Sequence, residues 1–126
     1  MSLDFVYKKA LLLFHTGKGL KVLFIPHVPR DLGNNKLSGQ IPASVMSRTD
    51  LFFLALNANE LSGSIPASVG NLEYLDTLEL ADNSLTGSIP ESIGSLVQLT
   101  LLNLTANQLT GPIPTTICNL SQLVIL

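Results

Sequence analysis

Three carboxylates, Asp76, Glu79 and Asp82, stand three residues apart in a stretch without a single Lys or Arg. With no base nearby they make a negative stripe, and the aromatic pair Phe52 and Phe53 adds apolar surface. Such a surface suits a peptide or protein that offers Lys or Arg beside an apolar side chain. The other reactive residue types do not assemble into chemistry. Cys118 is the sole cysteine, so no intramolecular disulfide can form. His15 and His27 have no carboxylate or second ligand at useful spacing, which supports neither a metal site nor a catalytic triad. Thr16-Gly17-Lys18-Gly19 lacks the upstream glycine and the hydroxyl after lysine that a phosphate loop needs, and reads as a helix stop. Nucleophile, base and orienting group do not converge, so no enzyme, metal or cofactor is expected. Two acceptor motifs for N-glycosylation, at Asn103 and Asn119, recur no more often than a Ser- and Thr-rich chain gives by chance.

The elements that must position these residues repeat. Asn35, Asn59, Asn83 and Asn107 recur every 24 residues, and the surrounding letters recur with them. Leu37, Leu61, Leu85 and Leu109 are followed by Gly39, Gly63, Gly87 and Gly111, then by an isoleucine and a proline. In Leu54-Ala55-Leu56, Leu78-Glu79-Leu80 and Leu102-Asn103-Leu104 the period is two, which predicts a short strand in each unit. After each strand the backbone turns between coils, where a carboxamide can both donate and accept. This predicts a structural asparagine ladder. The glycines allow positive φ or close approach, and the isoleucine before each proline is biased to extended backbone. Pro42, Pro66, Pro90 and Pro114 then open a helical turn that buries Val45, Val69, Ile93 and Ile117.

Framework letters explain a solenoid, and the letters between them carry its function. Those outside the leucine alternation are Phe52, Phe53, Ala55 and Asn57; Asp76, Thr77, Glu79, Ala81 and Asp82; and Thr100, Leu101, Asn103 and Thr105. Phe52, Phe53, Asp76, Glu79, Asp82, Thr100 and Asn103 are the candidate ligand-binding residues.

The unit, with Leu-Ser/Thr-Gly-x-Ile-Pro after the asparagine, resembles the plant-type leucine-rich repeat of receptor-like kinases, receptor-like proteins and polygalacturonase-inhibiting proteins. The match runs from Leu32 to Leu126. The resemblance implies a repeat solenoid of the α/β class. A parallel β-sheet would line its concave face, with short 3-10 or helical turns on the convex side and often a second strand in the Leu-Thr-Gly-Ser-Ile stretch. It implies a protein- or peptide-binding module like a plant receptor ectodomain, with ligand on the concave sheet, in signalling or defence. The alternatives are a secreted inhibitor of the polygalacturonase-inhibitor kind and a nonfunctional gene fragment. Family members are usually extracellular or at the plasma membrane, with a signal peptide and a cap containing Trp and Cys. This chain has no Trp and one Cys.

The organisation expected is an irregular segment over residues 1–30, which could cap the first coil, and a 24-residue repeat array over 31–126, incomplete at both ends. Within the first segment, Ser2 to Phe14 suggests a helix and Leu20 to Ile25 a strand. The first repeat carries His27 and Arg30 where strand leucines belong, and Arg48 stands where Leu72 and Leu96 stand later. The apolar run from Ala10 to Phe14 is shorter than the ~7–15 residues of a signal-peptide core, and nothing approaches the ~18 of a membrane span. The strand begun at Leu123 to Leu126 suggests self-association through an uncapped edge. All seven basic residues precede residue 49, whereas Asp50 to Glu91 hold seven acids and 92–126 no charge. The lysines are scattered without interleaved aromatics, so nucleic acid is not an expected partner.

Overall fold

The computed structural model describes residues 6–8, 11–16, 19–24 and 30–124. Near the N-terminus, strands β1 (Val6–Lys8), β2 (Leu11–Thr16) and β3 (Gly19–Phe24) form an antiparallel three-stranded sheet. From there every 24-residue unit makes one coil. It contributes one strand to each of two parallel sheets and closes with a 3-10 turn. The first sheet holds β4 (Arg30–Asp31), β6 (Phe53–Ala55), β8 (Thr77–Glu79) and β10 (Leu101–Asn103); the second holds β5 (Ser38–Gln40), β7 (Glu60–Ser64), β9 (Ser84–Gly87) and β11 (Gln108–Leu109). The turns span Ala43–Ser47, Ala67–Asn71, Glu91–Ser95 and Thr115–Asn119. This is a leucine-rich repeat solenoid.

The helix expected over Ser2 to Phe14 is not formed where the chain is described, because β1 and β2 occupy that stretch. The physical cause lies in the partner. Leu11 to Thr16 pairs residue for residue with Phe24 to Gly19, so the backbone polar groups of one apolar run are satisfied by the other. Thr16 opposite Gly19 leaves a two-residue connection, the length that favours a hairpin. The expected helix stop over Thr16-Gly17-Lys18-Gly19 is replaced by the end of β2 at Thr16 and the start of β3 at Gly19, with Gly17 and Lys18 outside the described residues. The strand expected over Leu20 to Ile25 is present as β3, with Ile25 outside the described residues.

In the first sheet the register advances by one whole repeat per strand: Arg30 and Leu54, Leu54 and Leu78, Leu78 and Leu102 are partners. Leu54, Leu78 and Leu102 point inward with Leu56, Leu80, Leu61 and Leu85, forming a continuous buried spine. At Arg30 the leucine is missing, but the backbone register holds. Each 3-10 turn is preceded by its proline in extended geometry, φ −57° to −70°, and the first turn N–H, that of Val45, Val69, Ile93 or Ile117, donates to the proline carbonyl. The turns buttress one another: the Ser92 hydroxyl donates to the Ala67 carbonyl and the Thr116 hydroxyl to the Glu91 carbonyl, both at 2.6 Å.

Between the strands of each coil sits its asparagine. Asn59 Nδ2 donates to the carbonyls of Leu32, Leu56 and Asn57 at 2.9–3.1 Å, and its Oδ1 accepts the Leu37 N–H at 3.0 Å. Asn83 repeats this with the carbonyls of Leu56, Leu80 and Ala81 and the Leu61 N–H; Asn107 uses Leu80, Leu104 and Thr105 and the Leu85 N–H. Asn35 donates to Leu32 and Gly33 of its own coil. Each carboxamide from Asn59 onward thus ties its coil to the preceding one. Gly39, Gly63, Gly87 and Gly111 adopt φ between 75° and 90°, a region that admits glycine without steric cost.

Candidate functional site

The strands of the first sheet are three residues long from β6 onward, and this length sorts the candidate residues into rows. Phe52, Asp76 and Thr100 immediately precede the strands; Phe53, Thr77 and Leu101 open them; Ala55, Glu79 and Asn103 close them. Pairing puts Thr77 between Phe53 and Leu101, and Glu79 between Ala55 and Asn103, at the ~4.8 Å spacing of adjacent strands. Thr77 is only 8% exposed, and Ala55 and Ala81 are 4% exposed. The small side chains therefore floor the face, while half-buried Phe53, Leu101, Glu79 and Asn103 rise from it.

The three acids do not form one continuous stripe. A spacing of three conflicts with the strand period of two, and only Glu79 projects from the strand itself. Asp76 lies before β8, with its carboxylate occupied by two hydroxyls: Thr77 Oγ1 donates to Oδ2 at 2.9 Å and Thr100 Oγ1 to Oδ1 at 3.0 Å. Asp82 is exposed in the turn after the strand at φ 54°. Its counterparts Asn34, Ala58 and Ala106 share the left-handed conformation, which the sequence did not announce because two of the four are alanines. Among the described residues, the Glu79 carboxylate has no hydrogen-bond or ion-pair partner.

The remaining reactive residues stay apart. Asn103 Oδ1 accepts the Thr105 hydroxyl at 2.8 Å and the Thr105 N–H at 3.3 Å, while Asn119 is exposed at the end of the last 3-10 turn. Cys118 is an exposed thiol on that same turn. His15 falls in β2, and His27 lies outside the described residues. Arg48 turns outward from the vacated leucine position to a two-pronged pair with Asp50, Nη2 to Oδ2 at 2.9 Å and Nε to Oδ1 at 3.1 Å. Among the described residues no group of three or more His, Cys, Asp and Glu could hold a metal, and no helix is long and apolar enough to cross a membrane. Sequence reasoning missed two exposed apolar side chains, Tyr74 and Val97. Comparing one repeat position across coils would have found them, since Asp50 and Gln98 match Tyr74, and Thr49 and Glu73 match Val97.

A face of short parallel strands with Phe53 and Leu101 on either side of Thr77, beside an unpaired carboxylate, can hold an extended chain or a protein surface. Comparison with known proteins places the architecture. The family model described as the leucine-rich repeat domain of EGF-like domain-containing protein ComC matches residues 17–126. Among solved structures, the BIR3–SERK2 complex from Arabidopsis thaliana is similar at 41% identity and TM-score 0.73, over 76% of this chain and 52% of that one. The plant peptide hormone receptor RGFR1 in complex with RGF2 is similar at 37% identity and TM-score 0.72, over 73% of this chain and 15% of that one. The ectodomain of the receptor kinase SOBIR1 from Arabidopsis thaliana aligns over 92% of this chain and 64% of that one, at 25% identity and TM-score 0.74. The aligned part is thus about half the length of the first of these chains and a small part of the second. No curated protein sequence matches the chain.

Proposed function

The chain belongs to the leucine-rich repeat family, of the plant receptor ectodomain type, and on that premise we propose that it binds a peptide or protein on the concave sheet. The ligand lies across β6, β8 and β10, packing an apolar side chain on Phe53, Thr77 and Leu101 and directing a Lys or Arg to Glu79. The observation that carries this is the juxtaposition of that apolar row with a half-buried carboxylate that has no partner of its own among the described residues. No Lys or Arg lies on β6, β8 or β10, the strands around this carboxylate, which favours the approach of a cation to it. Support also comes from two of the similar solved structures, the plant peptide hormone receptor RGFR1 in complex with RGF2 and the BIR3–SERK2 complex. The module is a recognition element and not an enzyme.

Backbone amide shifts of the whole chain, titrated with a hexapeptide of alternating Leu and Arg and with its Leu and Glu counterpart, test the proposal. Shifts confined to residues 53–55, 77–79 and 101–103, and seen with the Arg peptide alone, are expected. Shifts centred on the 3-10 turns, or equal for both peptides, would overturn it.

A further inference from the structure

Outside the concave sheet, three large apolar side chains stand in water on coils that have a neighbour on each side: Phe52 is 47% exposed, Tyr74 66% and Val97 48%. Phe52 precedes β6, and Tyr74 and Val97 occupy the turn tips before β8 and β10. Solenoid packing does not ask for apolar residues there. The position of Tyr74 holds Asp50, Gln98 and Gln122 in other coils; that of Val97 holds Thr49, Glu73 and Ser121; that of Phe52 holds Asp76 and Thr100, and Val124 in the last coil. On this one diagonal Tyr74 and Val97 each stand where the coils on either side carry a polar residue, and Phe52, whose position is apolar again at Val124, precedes them.

The backbone keeps these segments side by side. The Phe52 carbonyl accepts the Asp76 N–H at 2.8 Å, and the Asp76 carbonyl accepts the Thr100 N–H at 2.8 Å, so the segments leading into β6, β8 and β10 are laced together at about the ~4.8 Å strand spacing. Phe53, Thr77 and Leu101 follow within the sheet. The diagonal therefore borders the concave face without being part of its floor.

Charge then narrows the occupant. Exposed Glu73 stands beside Tyr74, the Arg48 and Asp50 charges on the preceding coil offset each other in their ion pair, and no Lys or Arg follows Arg48. Clustered exposed apolar side chains mark interaction surfaces, and tyrosine is enriched among residues that dominate binding energy. We propose that Phe52, Tyr74 and Val97 form a docking rim, separate from the concave ligand face, for a basic protein partner that presents an aromatic or aliphatic side chain beside Lys or Arg. The aromatic rings and Val97 supply apolar area, and Glu73 supplies the complementary charge.

The test uses the whole chain, immobilised, and a displayed random peptide library as the probe. Enriched peptides are expected to combine an aromatic or aliphatic residue with Lys or Arg. Tyr74→Gln and Val97→Thr, which install residues that other coils carry at these positions, are each expected to lower their affinity roughly tenfold. Asn71→Ser and Asn119→Ser, on the 3-10 turns where other coils carry Ser47 and Ser95, are expected to leave it unchanged. Hydrogen exchange of the unsubstituted chain with the enriched peptide gives a second readout, with protection expected over 73–76 and 97–100. Enrichment of acidic peptides, no enrichment, or protection confined to 53–55, 77–79 and 101–103 would overturn the rim. The last of these would leave the concave proposal standing alone.

Discussion

Asn83 satisfies four backbone groups with one carboxamide, three carbonyls and one N–H, in two coils. Removing it strands those groups away from solvent, so Asn83→Ala should destabilise the chain by about 1–3 kcal/mol. Denaturant melts measure this; a change below about 0.5 kcal/mol would mean that water replaces the carboxamide without loss. The acids should separate in the same assay. Asp76→Ala deprives the buried Thr77 hydroxyl of its acceptor and leaves the Thr100 hydroxyl only its 3.3 Å bond to the Asp76 carbonyl, for a loss of about 1–2 kcal/mol. Asp82→Ala should cost less, about 0.5–1 kcal/mol, because its side chain has no partner to lose among the described residues and alanine is only the poorer occupant of the left-handed backbone it already holds at Ala58 and Ala106. Those alanines are themselves strained. Ala106→Asn, exposed at φ 52°, should stabilise by about 0.5–1 kcal/mol, since asparagine tolerates this region better. A lower melting point for that variant would contradict the assignment of strain.

At the scale of elements, the coil-to-coil fit of the 3-10 turns sets a limit on side-chain size. A Cβ at Gly94 would stand 2.5 Å from Thr116 Cβ and 2.6 Å from the Thr116 carbonyl oxygen. Gly94→Ala should therefore push the last two turns apart and cost roughly 1–3 kcal/mol, read as a lower unfolding midpoint. An unchanged midpoint would show that the turns slide freely. The first-sheet strands and the proline-led turns were legible because each depends on a local cue repeated in register, Leu-x-Leu and Ile-Pro, whereas the second sheet was expected only from the family resemblance. The N-terminal hairpin was not, since Leu11 to Phe14 is an apolar run without clear periodicity and its strand state depends on a partner at Leu20 to Phe24. The rows of the concave face were partly legible. Alternation gives Phe53, Glu79 and Asn103, but not that Asp76 is held by two threonines, one of them a whole repeat away. Such contacts arise only when coils stack.

For the whole molecule, the size of the concave face limits what it does alone. Four strands ~4.8 Å apart, each offering about five residues at ~3.3 Å, present about 300 Å². That is less than half of one partner's share of a standard interface, near 800 Å². Binding by this chain alone should therefore be weak, with dissociation constants in the range of about 0.1–1 mM for a short peptide. Part of the binding should be electrostatic and, on a half-exposed carboxylate, screened over ~8–10 Å at physiological salt. The most direct test of the central claim is the salt dependence of affinity for the Leu and Arg hexapeptide, measured for the unsubstituted chain and for Glu79→Gln. The concave account predicts weaker binding as salt rises, and loss of most of that dependence in Glu79→Gln while Asp82→Asn retains most of it. Equal affinities and equal salt slopes for the unsubstituted chain and Glu79→Gln would contradict it.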